Sequence, residues 1–383
     1  MEMKNEITNK DIKQNTSVSF TPLVKQGDAP VPLSILDVAT TGKGYSAAEA
    51  ISNSIALAKF ADQRGFARYW VAEHHSMPAV STSSPAMLLS RLIGETKNIR
   101  LGSGGMMLPN FPPLVVAEQF GMLQAMASGR IDLGIGRAPG TNGLTASALR
   151  GNNLGAEDFP ELLTELLHFL DDDFPEGHPY KGRVFAVPGP GQDRENGIAR
   201  SSESPSVWLL GSSGYSAQLA GKLGLPFAFA AQLAPENMLF AFDIYKKNFK
   251  PSKVLDKPYT IASISVFAAD SEEEARIQTR TFAHSMLRMM KRESYVVPSP
   301  EELKNYDYNS SEMLVLESWH QKMIYGTADK VVSRLNEFQK ISGANELMIA
   351  NLGHSLEGIL HSAKLIADAY NMPNIEIERN LRD

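Results

Sequence analysis

The chain has 383 residues, 43% hydrophobic and 21% charged, an ordinary balance for a globular protein with a sizeable core. A net charge of -6 argues against a nucleic-acid or anionic-membrane partner, and zero cysteines exclude disulfides, thiolate metal sites and cysteine catalysis. The N-terminus MEMKNEITNKDIKQNTS is polar with no apolar centre, and no apolar run approaches a membrane span, so the reading is a soluble, cytoplasmic protein.

Residues 1–30 carry few apolar positions and predict a flexible N-terminal arm, or a clasp on a neighbouring subunit. Residues 31–383 read as one alternating domain. Leu33 to Val38 is a strand, and Ser46 to Arg64 a helix, with Ser46 and Glu49 in capping-box spacing and Gly65 as its stop. Ala67 to Ala72 is the second strand, ending in Glu73-His74-His75, and Pro85 to Thr96 the next helix. Ile99 to Gly102 predicts a third strand that stops in glycines. Pro113 to Ala127 follows at a helical period, and Ile131 to Ile135 is strand four.

A helix over Glu157 to Asp172 precedes a long Pro-, Gly- and Ser-rich insertion at 174–205. Val207 to Leu210, Phe227 to Ala230 and Tyr259 to Ala268 are the next three strands, each with a helix behind it. A second insertion spans 291–322, with a helix near its end. Thr327 to Ile341 is helical, Glu346 to Ala350 the last strand, and Ser355 to Tyr370 the last helix. Eight strands, each followed by a helix, predict an α/β fold of one domain: a closed (β/α)8 TIM barrel with insertions rather than an open doubly wound sheet. Both insertions are candidate lids.

In such a barrel ligands sit at the carboxyl ends of the strands. Glu73-His74-His75 lies there, and strand alternation lets at most one histidine face the cavity squarely. Its imidazole could donate a hydrogen bond or shuttle a proton, or the pair could simply close a strand. A metal site made from Glu73, His74 and His75 needs help from distant strands, and no HExxH occurs. Gly104 and Gly105 could lie beneath a flat ligand or form a tight strand exit. Gly134, Gly136 and Gly140 have GxGxxxG spacing, which is not the dinucleotide fingerprint. Arg137 suits a phosphate, or an ion pair to the adjacent loop. Ser212, Ser213, Gly214, Tyr215 and Ser216 open a helix, either as an ordinary cap or as a phosphate cradle. Arg137 and this loop follow neighbouring strands and could grip one phosphate together, which favours a phosphorylated cofactor.

These residues resemble the bacterial luciferase-like, flavin-dependent monooxygenases. WVAEHH, IRLGSGGMMLPNFPP, AEQFGMLQAMASGRIDLGIGRAPGTN, LLGSSGYSAQLAGKLGLPFAFA, IYGTADKVVSRL and ANELMIA match the family's motifs in order, over about residues 31–370. The resemblance implies a (β/α)8 barrel that binds reduced FMN and dioxygen. It implies a non-proline cis peptide at Gly104-Gly105 under the flavin ring, a phosphate-binding Arg137, a phosphate loop at Ser212 to Ser216, and a catalytic His74. Family habit implies a homodimer. Two positions depart from the pattern: Gly136 stands where luciferase has a reactive cysteine, and Asn142 where close relatives have Asp.

The resulting expectation is a monooxygenase that oxygenates a small organic substrate with dioxygen and reduced FMN. A separate NAD(P)H:FMN reductase would deliver the flavin, because no NAD(P)H fingerprint is present. His74 would serve the reacting oxygen with a pKa not far from neutrality. The alternatives are deazaflavin (F420)-dependent hydride transfer, a flavin-binding protein without turnover, and a metal-dependent barrel hydrolase using Glu73, His74 and His75.

Overall fold

The structure is a computed structural model and describes Phe20, residues 23–150, Gly155, residues 157–201 and residues 203–375. Its frame is a ring of parallel strands. The ring strands are β1 (Leu33–Asp37), β2 (Arg68–Val71), β3 (Arg100–Met107), β4 (Ile131–Gly136), β5 (Ser206–Gly211), β6 (Phe227–Ala230), β7 (Thr260–Ala268) and β9 (Glu346–Ala350). β1 lies between β2 and β9, with Ile35 opposite Tyr69 and Leu33 opposite Leu347. Pairing of β6 with β7, Phe227 opposite Thr260, closes the ring.

The helices that return the chain are α1 (Ala47–Gln63), α2 (Pro85–Ile93), α3 (Pro113–Met126), α4 (Phe159–Asp171), α5 (Gly214–Leu223), α6 (Met238–Asn248), α7 (Glu272–Met290), α8 (Ala328–Ser342) and α9 (Leu356–Ala369). α1 begins with the capping box legible in the sequence: the Glu49 N–H donates to Ser46 Oγ at 3.2 Å, and the Ser46 N–H donates to Glu49 Oε2 at 2.7 Å.

Two strand assignments need correction. Met323–Gly326 forms a further strand, β8, that the sequence pattern does not announce. β7 is nine residues long, so its first half pairs with β9 and its second half, from Ser265, pairs with β8. β3 does not stop at Gly102 but runs on through the glycines to Met107, and its register against β4 shifts between Gly104 and Met106. The Gly104–Gly105 peptide is cis.

The amino-terminal end of the barrel is filled by charge. Asp132 accepts from Arg68 Nη1 at 2.7 Å, Arg100 Nη2 at 2.7 Å and Trp70 Nε1 at 3.1 Å. Glu346 accepts from Arg68 Nε at 3.0 Å, from Tyr259, and from the Ser34 hydroxyl. Burial alone would raise the Asp132 carboxyl, but Arg100 and Arg68 outweigh it and hold it below the usual carboxylate range. Two guanidiniums thus meet two carboxylates, the arrangement in which buried charge is tolerable. Above them Trp70 and Trp208 meet edge to face at 5.2 Å, and the upper cavity beyond is lined by Leu36, Gly104 and Leu210.

Of the expected flexible arm, residues 1–19 and 21–22 lie outside the described residues. Phe20 packs 4.6 Å from the Tyr259 ring and 5.4 Å from Trp208. Nearer the barrel, the Asp28 N–H donates to the Tyr370 carbonyl at 2.7 Å, and Ala29 is buried.

The two insertions go to opposite ends. Residues 174–205 run from the end of α4 to the start of β5, where the Ser204 hydroxyl donates to the Leu170 carbonyl at 2.8 Å, and so lie at the amino-terminal face. A Cβ on Gly121 of α3 would stand 2.4 Å from the Pro188 carbonyl oxygen, so this segment is clamped to the barrel's outer wall. It is not a lid on the site. Residues 291–322 do reach the carboxyl face. There a second apolar cluster, including Phe282, Met286, Tyr295 and Leu316, lies apart from the main core. The Lys43 N–H donates to the Val297 carbonyl at 2.8 Å and the Ala79 N–H to the Tyr295 carbonyl at 3.2 Å, tying three loops into one roof.

Candidate active site

Between the tryptophan layer and this roof is a cavity of about 350 Å3, a size common for small-molecule sites. His74, Gly104, Gly105, Arg137, Ser212, Ser213 and Ser216 all line it; Gly214 and Tyr215 do not. The strand ends therefore bring the sequence-predicted residues together around one space.

Its phosphate-suited end is built by β4 and β5. Arg137 follows β4 directly and makes no ion pair among the described residues, so the adjacent-loop pairing considered from sequence does not form. Its guanidinium instead lies 4.1 Å from the centre of the Tyr215 ring, which fixes its plane. Ser213 occupies the N-cap of α5, yet its hydroxyl makes no capping bond. An ordinary cap therefore does not account for this serine. The first N–H groups of α5, two serine hydroxyls and an unpaired guanidinium converge as donors.

The middle of the cavity is bounded by Gly104-Gly105 on one side. A Cβ on Gly104 would meet Leu36 Cδ1 at 2.6 Å, so the backbone rests directly on the floor and presents a flat, side-chain-free surface upward. A phosphorylated, flat ring system fits these two features together.

Beside them, the three residues after β2 divide their work. His75 turns away and pairs its Nε2 with Glu73 Oε1 at 2.9 Å. Glu73 also accepts from the Met107 N–H at 2.9 Å and from Asn110 Nδ2 at 3.0 Å, which locks the ends of β2 and β3 together. Burial raises the Glu73 carboxyl despite these donors. His74 faces the cavity, and its buried Nδ1 has no partner. Burial, with neighbouring His75 adding to it, pushes the His74 imidazole down to about 4. The near-neutral pKa expected from sequence is thus corrected: desolvation keeps this ring uncharged at pH 7. It can still offer one N–H and one lone pair.

Asn142, the second departure noted in the sequence, accepts the Thr145 N–H at 2.9 Å and starts the helix Gly143–Arg150. Either Asn or Asp can fill that capping role. Among the described residues no group of three or more His, Cys, Asp or Glu side chains is placed to hold a metal ion, and Glu73 and His75 spend themselves on each other. Among the described residues no helix is long and apolar enough to cross a membrane.

Sequence reasoning missed the roof: Met77, Phe282, Met286, Met289 and Tyr295 line the cavity from above. One signal was available. Phe282, Met286 and Met289 recur at i, i+4 and i+7 on α7, an apolar stripe on a helix that also carries several charges.

The family model for luciferase-like monooxygenases matches residues 31–345. Among known proteins the chain is similar to a luciferase-like monooxygenase of Escherichia coli strain K12, at 39% identity over 89% of this chain and 97% of that one. It is also similar to the N-acetyl-S-alkylcysteine monooxygenase of Bacillus subtilis, at 34% identity over 88% and 98%. Among solved structures, apo-MsnO8 superposes with a TM-score of 0.79 at 32% identity, covering 90% of this chain and 98% of that one. At the level of fold alone, two further structures are alike. One is the oxygenating constituent of 3,6-diketocamphane monooxygenase from Pseudomonas putida in complex with FMN (TM-score 0.63, 19% identity, 91% and 99% coverage). The other is an F420-dependent secondary alcohol dehydrogenase (TM-score 0.59, 16% identity, 89% and 99% coverage).

Proposed function

This chain belongs to the luciferase-like monooxygenase family, and from that premise we propose that it uses reduced FMN and dioxygen to oxygenate a small organic substrate. The observation that carries this reading is the donor cradle at the end of β4 and β5: Arg137 unpaired and stacked on Tyr215, beside the uncapped Ser213 of α5. A phosphate monoester at the end of a flat ring matches it. Bound reduced FMN supplies the two electrons that activate dioxygen and leave one oxygen atom on the substrate.

The chain's own residues do the rest. Arg137, Ser212, Ser213 and the first N–H groups of α5 bind the phosphate. Gly104-Gly105 sets the height of the ring above the tryptophan layer. Neutral His74 meets the reacting oxygen as a hydrogen-bond partner and holds or passes a proton at a ring nitrogen without becoming charged. The apolar roof of Met77, Phe282 and Met286 excludes water.

Reduced FMN comes from a separate NAD(P)H:FMN reductase in this proposal, since the glycines after β3 and β4 lack dinucleotide spacing. The working form in this proposal is a cytoplasmic homodimer. Anaerobic titration with reduced FMN, followed by admission of oxygen in the presence of a substrate panel, tests the function. Saturable binding with oxygen incorporated into a product supports it. Binding of reduced F420 in preference to reduced FMN, or no flavin binding at all, would replace it.

A further inference from the structure

Four methionines line the cavity: Met77, Met107, Met286 and Met289. Met107 stands out among them by its place. It follows the ring-backing glycines on β3 and pairs with Gly136, the residue before Arg137. A Cβ on Gly136 would lie only 2.7 Å from Met107 Sδ, so the thioether occupies the space that a side chain on residue 136 would take. The Met107 backbone is pinned by the Glu73 carboxylate at 2.9 Å. A fixed, polarizable sulfur therefore sits between the parts of the cavity assigned to ring and phosphate.

We propose that Met107 is a self-oxidation site, whose thioether becomes a sulfoxide when reduced flavin and dioxygen meet in the cavity without an organic substrate. This rests on the FMN reading above. Reduced FMN gives two electrons and two protons to dioxygen, yielding oxidised FMN and hydrogen peroxide. The Met107 sulfur then attacks one peroxide oxygen: an S–O bond forms, the O–O bond breaks, and the other oxygen leaves as water. Sulfur is oxidised by two electrons and peroxide is reduced by two. Peroxide released into a partly enclosed space meets the lining sulfurs before it is diluted, so proximity rather than exposure decides which methionine reacts. The product replaces an apolar wall atom with a polar one next to Arg137.

The chain supplies its own controls. Between Arg100 and Arg130 no lysine or arginine intervenes, so one tryptic peptide carries Met106, Met107, Met122 and Met126. Met106 is 2% exposed and does not line the cavity, whereas Met122 and Met126 are 55% and 51% exposed on the surface of α3. The experiment incubates the full chain aerobically with FMN, NADH and a catalytic amount of an unrelated flavin reductase, with catalase destroying peroxide in bulk. Fragment-ion mass spectrometry then reads each methionine. The expected result is at least fivefold more sulfoxide at Met107 than at Met122 or Met126, with the order inverted when peroxide is added to flavin-free protein. Sulfoxide that follows exposure in both samples overturns the proposal, as does an unmodified Met107. FMN fluorescence quenching by the same protein, read before NADH and reductase are added, separates the causes. Quenching without Met107 oxidation sinks this proposal alone, and no quenching sinks the flavin reading together with it.

Discussion

The uncharged state of His74 makes a measurable demand on stability. A free imidazole titrates near 6.5, and burial takes His74 down to about 4 in the fold. Above pH 6.5 the ring is neutral in both folded and unfolded chains and contributes no pH dependence. As pH falls from 6.5 toward 4 the unfolded chain takes up a proton that the folded one refuses, so stability is lost across that window and levels off below it. The full gap corresponds to about 3 kcal/mol, and about 2 kcal/mol of it is spent between pH 7 and pH 5. Replacing His74 by Asn keeps a polar atom near the position of Nδ1 and removes the titration. Urea unfolding of both proteins at pH 7 and pH 5 is the assay, each with its own slope. Other groups, including Asp171, whose carboxyl burial pushes up to about 6, are common to both chains and cancel in the difference. The variant should lose about 2 kcal/mol less than the wild type on going to pH 5. Equal losses would show that His74 is not held neutral, and the hydrogen-bonding role proposed for it would have to be rebuilt on a charged ring.

Three further outcomes follow from other parts of the molecule. Asp132→Asn leaves the buried Arg68 and half-buried Arg100 guanidiniums with one full carboxylate and should cost about 3–5 kcal/mol in urea or thermal unfolding; an unchanged midpoint would mean that Arg68 and Arg100 are satisfied elsewhere. Arg137→Ala removes a charge-assisted donor worth about 1.5–3 kcal/mol, so FMN affinity by fluorescence quenching should fall roughly tenfold to a hundredfold. Equal affinity in the two proteins would remove Arg137 from the cradle. Ser213→Ala tests the uncapped hydroxyl: stability should stay within about 0.5 kcal/mol of wild type while FMN binding weakens. A stability loss of about 1 kcal/mol with unchanged binding would return Ser213 to an ordinary cap.

What could be read from the sequence was whatever the chain writes locally. The capping box at Ser46 and Glu49 needs only a four-residue window, and it forms as written. Strand alternation separates His74 from His75, and the structure sends one into the cavity and the other to Glu73. Partners far along the chain leave no such trace. Arg68 sits in a run that reads as an apolar strand, while its carboxylates lie 64 and 278 residues away. β8 is four residues between two helix signals and exists only because β7 overshoots the ring. The pKa of His74 depends on how much water the roof excludes, which no local pattern states. The misplaced lid at 174–205 is a different kind of miss: 291–322 also follows a helix and precedes a strand, yet it lies at the carboxyl face because α7 runs over the cavity instead of returning along the barrel.

The division between legible and illegible residues bears on how such a site can vary. Every candidate site residue named from the motifs lies at the ends of β2 to β5, where the proposed phosphate cradle and the glycine backbone adjoin. The roof comes from Met77 to Val80, from α7 and from Tyr295, elements joined by a few backbone hydrogen bonds and packed in their own cluster. Changing a side chain there alters the shape above the ring without disturbing the cradle, the floor or the charged layer beneath it. Strand ends hold a reaction in place and the loops above them select what reacts. In this chain the roof supplies thioethers, Phe282 and Tyr295 and contributes no ionised side chain to the cavity. Among the described residues Arg137 is the one cationic side chain on the cavity wall. An anionic substrate would have only that guanidinium to pair with, and a phosphate held in the proposed cradle would compete for it.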